Sequence, residues 1–81
     1  MKNQQILPEV AVIGAGTMGA GIAQVAAMAG YPVQLYDVEQ SVLDRAMSRI
    51  DNNLTKGIER GKVSTEQQQQ TLQQLSTTTD L

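Results

Sequence analysis

Three glycines in six residues, Gly14-Ala15-Gly16-Thr17-Met18-Gly19, constrain this chain more than any other feature. They stand between two segments of different period. Val10-Ala11-Val12-Ile13 is a continuous apolar run, which reads as a strand buried on both faces of a parallel sheet. Pro8 lies just outside it, where a missing amide costs little. Over residues 17–29, Met18, Ile22, Val25 and Met28 recur at spacings of three and four, which is helical. Gly30 fits the position after the helix, and Pro32 prevents its continuation. That helix is almost without charge, as expected of one packed tightly between a sheet and other protein.

In a strand–turn–helix of this kind each glycine has a steric task. Gly14 permits the tight turn, Gly16 lets a ligand approach the backbone, and Gly19 brings the helix close to the strand. The first-turn amides of the helix lack intrahelical partners and, with the helix dipole, attract anions. Thr17 could cap this helix, and Met18 could fill the core or flank a ligand. Gly21 adds a helical glycine, which costs roughly 1 kcal/mol relative to alanine and so implies a packing reason.

The next strand candidate is Val33-Gln34-Leu35-Tyr36-Asp37-Val38, and its acid, Asp37, falls near the offset expected of a ribose-binding carboxylate. The joint pattern predicts a dinucleotide, its diphosphate on the helix N-terminus and its adenosine ribose on Asp37. A 2′-phosphate would meet like charge there, and no arginine follows within the first few residues, so NAD is favoured over NADP. Flavin proteins share the fingerprint and remain an alternative. So does a glycine turn without a ligand.

A second helix is expected from near Ser41, with Ser41 and Asp44 as a capping box. Leu43, Met47, Ile50, Leu54 and Ile58 form its apolar face, and its end lies between Gly57 and Gly61. Ser64-Thr65-Glu66-Gln67 is a second capping box, opening a short helix to about Leu75 whose glutamines form a solvated face. Residues 76–79 could add a short edge strand. The order strand, helix, strand, helix, helix, strand predicts an α/β fold, the first βαβα(β) portion of a Rossmann-type parallel sheet with right-handed crossovers.

Composition narrows the chemistry. The 81 residues contain no cysteine and no histidine, so thiolate sites and the commonest general base are missing. A net charge of −2 and two tyrosines as the only aromatics argue against nucleic acid as a partner. The apolar stretches are too short to span a bilayer, residues 1–8 form a polar arm without a signal-peptide core, and a cytoplasmic protein is expected.

Val12-Ile13-Gly14-Ala15-Gly16-Thr17-Met18-Gly19-Ala20-Gly21-Ile22-Ala23-Gln24, then Gly30, then Leu35-Tyr36-Asp37, resembles the N-terminus of the 3-hydroxyacyl-CoA dehydrogenases. The ending Thr77-Thr78-Thr79-Asp80-Leu81 is similar to the family at its third strand. The resemblance implies an oxidoreductase of fatty-acid metabolism that uses NAD and an acyl-CoA substrate and forms a homodimer when full length. It also implies that residues 1–81 are part of an NAD-binding domain. The rest of that domain, a helical C-terminal domain and the catalytic His–Glu pair with its supporting Ser and Asn would then lie elsewhere. Gly14, Ala15, Gly16, Thr17, Met18, Gly19 and Asp37 inherit the cofactor role. By position Asn53, Arg60 and Lys62 are candidates for CoA contacts. The simpler reading of that region is a solvated helix end whose Lys56, Arg60 and Lys62 complement the dipole. Alternatives for the chain are a catalytically inactive nucleotide-binding module or a structural or regulatory relative of the same fold.

Overall fold

The computed structural model describes residues 8–80; most of the polar arm and the final Leu81 lie outside the described residues. The elements are β1 (Val10–Ile13), α1 (Thr17–Met28), β2 (Val33–Tyr36), α2 (Gln40–Glu59), α3 (Thr65–Gln74) and β3 (Leu75–Thr78). The strands form one parallel sheet in the order β1-β2-β3. Val10 pairs with Val33, which in turn pairs with Leu75.

Successive strands step in one direction across the sheet, so right-handed crossovers put all three helices on the same face. The helices accordingly pack against one another as well as on the strands. Val12, Val33 and Leu35 point into this layer and are buried, together with Leu43, Ala46, Ile50 and Leu54 of α2. The opposite face has no helix among the described residues, and Ile13 there is 66% exposed. Among the described residues β1 is thus covered on one side only, and the second covered face that its continuous apolar run predicts is not supplied by them.

The apolar stripe of α1 does not face the sheet. Met18, Ile22, Val25 and Met28 form its outward face, and Met18 is 79% exposed. The inner face is Ala20, Ala23 and Ala27, all buried. Small residues belong there because α1 starts directly against the strand. A Cβ on Gly19 would overlap the Gly14 carbonyl oxygen, which is backbone and cannot yield. For Gly21 the described residues give no such reason, since a Cβ there would meet nothing of them within 4 Å.

The helix ends follow local chemistry. Gly30, at φ +97°, closes α1 by donating to the Ala27 carbonyl at 3.0 Å, while Tyr31 N–H reaches the Ala26 carbonyl at 3.1 Å. The Ser64 box forms as expected. Ser64 Oγ accepts from Gln67 N–H at 3.0 Å, and Gln67 Oε1 accepts from Ser64 N–H at 2.8 Å. The Ser41 box does not form. α2 begins one residue earlier, with Glu39 at the N-cap and no side-chain cap. Asp37 Oδ1 accepts from Glu39 N–H at 3.0 Å, just ahead of the helix. Thr71, the buried polar residue of α3, donates its hydroxyl to the Gln67 carbonyl at 2.7 Å.

Candidate functional site

The site lies where β1 and β2 end. The ladder continues past β1, with Gly14 N–H donating to the Tyr36 carbonyl at 2.8 Å. Gly14 then turns the chain at φ +99°, a left-handed conformation that disfavours other residues. Gly16 is the N-cap of α1 and has no side chain with which to satisfy the first-turn amides. The first turn carries no acid either, in contrast to α3, where Ser64 and Glu66 occupy those positions. A Cβ on Gly16 would meet nothing within 4 Å, so the backbone there is open to an approaching group. Thr17 is the first helical residue and not a cap, and its hydroxyl accepts from Arg49. Met18 projects outward from the same turn and takes no part in the core of the described residues.

Asp37 joins the two halves of the site. Its Oδ2 accepts from Ala15 N–H at 3.0 Å across 22 residues of sequence, while Oδ1 takes Glu39 N–H. Ala15 is 3% exposed, so its amide needs a partner, and the carboxylate supplies it. These two amides, Ala15 first, hold the Asp37 carboxyl below its ordinary value of 3.8, against a smaller opposing effect of desolvation. Each carboxylate oxygen keeps a further lone pair, which suits a vicinal diol.

The sign of the pH dependence follows from the lowered value. Stability from Asp37 is fully present above about 3.8, its unfolded value, and is lost as pH falls through the lower folded value. Thermal melts followed by circular dichroism should therefore show a wild-type advantage over Asp37→Asn that is constant near neutrality. That advantage should shrink only below about pH 4. An advantage that instead changed between pH 5 and 8 would contradict the assignment.

The other predicted residues lie apart. Asn53 faces α1 and donates to Gln24 Oε1 at 3.1 Å. With Arg45, Ser48, Arg49 and Lys56 it lines a polar groove along α2. Arg60 is the C-cap of α2 and Lys62 is exposed in the turn that follows, outside that groove. The 20 residues of α2 separate them from Asp37 by roughly 30 Å of helix. Arg45 and Arg49 were not anticipated, yet both line a cleft with Ala15, Gly16 and Thr17. Their signal was available in principle, because Val42, Ala46 and Arg49 share one side of α2 at spacings of four and three. Among the described residues no cluster of His, Cys, Asp and Glu could hold a metal, and no helix is long and apolar enough to cross a membrane.

A parallel βαβ unit with an uncapped glycine turn tied to the acid after its second strand defines a dinucleotide-binding α/β module. The family model described as 3-hydroxyacyl-CoA dehydrogenase, NAD binding domain, matches residues 9–81. The chain belongs to that family, and its cofactor is NAD. It is 49% identical over 72 residues to 3-hydroxyadipyl-CoA dehydrogenase of Escherichia coli strain K12, covering 89% of this chain and 15% of that protein. The probable 3-hydroxybutyryl-CoA dehydrogenase of Deinococcus radiodurans is 47% identical over 70 residues, covering 86% of this chain and 25% of the relative. The crystal structure of 3-hydroxybutyryl-CoA dehydrogenase from Escherichia coli K12 superposes with a TM-score of 0.89 at 45% identity. That match covers 95% of this chain and 16% of the solved one. The chain thus spans a quarter or less of the length of these relatives.

Proposed function

We propose that the intact protein is an NAD-dependent 3-hydroxyacyl-CoA dehydrogenase in which this chain holds the adenosine and diphosphate half of the cofactor. The observation that carries this reading is the bond from Ala15 N–H to Asp37 Oδ2, which fixes an anion-binding turn beside a diol-binding carboxylate. Gly14 and Gly19 shape the turn and Gly16 opens it. The amides of Ala15, Thr17 and Met18 belong to the segment that faces the diphosphate, although the Ala15 amide is already engaged by the acid. Asp37 accepts the ribose hydroxyls and disfavours a 2′-phosphate. When bound, NAD supplies the acceptor for the hydride leaving substrate C3. The hydroxyl proton goes to a base outside these 81 residues, which contain no histidine.

The relatives are named as dehydrogenases of CoA substrates, which supports an acyl-CoA as the second ligand. Asn53, Arg60 and Lys62 are proposed to contact its CoA portion; Asn53 would first release Gln24. We further assign residues 1–81 to the opening part of a larger nucleotide-binding domain, with a helical domain beyond it, in a cytoplasmic homodimer. Exposed Ile13, Met18, Ile22, Val25 and Val38 support this, since apolar surface of that extent is suited to cover by more protein. Assay of the intact protein with acetoacetyl-CoA and NADH should show NADH oxidation. Absence of turnover with acyl chains of every length, in protein shown to bind NADH, would leave the inactive binding module as the function.

A further inference from the structure

Arg49 reaches from the middle of α2 to the first residue of α1, where its Nη1 donates to the Thr17 hydroxyl at 2.7 Å. The guanidinium is thereby held beside the uncapped N-terminus of α1. It lines one cleft with Ala15, Gly16 and Thr17, and Arg45 lines the same cleft from one turn earlier. The anion at this turn, the Asp37 carboxylate against the Ala15 amide, is already engaged by two backbone N–H groups. A helix N-terminus carries positive partial charge and favours anions, and α1 has no acid in its first turn to offset an added guanidinium. The bond to Thr17 uses one of five guanidinium N–H groups and orders a long side chain, leaving further donors for a ligand.

We propose that Arg49 is a binding residue for the dinucleotide diphosphate, adding a side-chain cation to a cradle otherwise made of backbone amides. The proposal rests on the NAD assignment of this site and deepens it. Thr17 acts as a positioning residue that aims the guanidinium. Arg49 also borders the polar groove that contains Asn53 and Lys56, where phosphates of CoA are a second possible source of the same chemistry. The cleft shared with Gly16 favours the dinucleotide, because only that cleft includes the glycine turn.

Calorimetric titration of the intact protein with NADH, ADP-ribose and CoA, at low and at moderate salt, tests this on wild type, Arg49→Gln, Arg49→Lys and Thr17→Val. Arg49→Gln should weaken NADH and ADP-ribose about tenfold at low salt, and the gap should narrow as salt screens the charge. Arg49→Lys should recover part of the loss, Thr17→Val should show a smaller one, and CoA should be unaffected. Unchanged NADH affinity in Arg49→Gln would overturn the proposal while leaving NAD binding intact. So would a loss confined to CoA, or a loss independent of salt. If the wild-type protein failed to bind NADH, the assignment of the site would fall first and the role of Arg49 with it.

Discussion

Replacing Asp37 with alanine is expected to weaken NADH binding by roughly one to two orders of magnitude, the effect of removing hydrogen bonds to a charged acceptor. Two causes add. The ribose loses its carboxylate, and the glycine turn loses the partner of the Ala15 amide. The NADH-to-NADPH preference separates them. Without the negative charge a 2′-phosphate no longer meets repulsion, so the preference should collapse along with the affinity. Titrations with both nucleotides would check this. A variant that bound NADH weakly but still rejected NADPH by the wild-type factor would show that Asp37 holds the turn without reading the sugar.

Gly19→Ala should be the most damaging single-methyl change in the described chain. The added Cβ would overlap the Gly14 carbonyl oxygen and crowd Val12 Cγ1, so α1 must move off the strand. Overpacking against unyielding backbone costs about 3 kcal/mol, a large part of the 5 kcal/mol or so at the lower end of domain stability. Gly21→Ala, two residues on in the same helix, should do the opposite. Its Cβ meets none of the described residues, and where nothing else packs there the gain in helix propensity is about 0.8 kcal/mol. Urea unfolding of the intact protein followed by circular dichroism would measure both. Similar shifts in the two variants would mean that helix propensity, and not the approach of α1 to the strand, decides the outcome.

Much of the fold was legible because it depends on residues with few conformational options. Gly14, Gly19 and Gly30 can each be placed by sterics alone, and the Ser64 box needs only a hydroxyl and an amide three residues apart. What escaped depends on the third dimension. The periodicity of Met18, Ile22, Val25 and Met28 correctly marks a helix, but period alone does not say which face turns inward. The close approach of α1 selected the alanines instead. Ser41 and Asp44 have the spacing of a capping box, yet α2 starts at Gln40 and leaves Ser41 inside its first turn. The acid itself was legible, and its bond to Ala15 was not, since nothing local connects positions 22 residues apart. The helical spacing places Arg49 on one side of α2, but not the hydroxyl it meets, which lies 32 residues away.

The bridge between Ala15 and Asp37 has a kinetic and entropic meaning as well. Because the loop takes its shape when the chain folds, a nucleotide finds a preorganised receptor and need not restrict a floppy segment on arrival. Little of the free energy of association is then diverted into ordering the backbone. In the proposed dehydrogenase, exchange of oxidised for reduced nucleotide between turnovers would proceed without the loop collapsing and rebuilding each time.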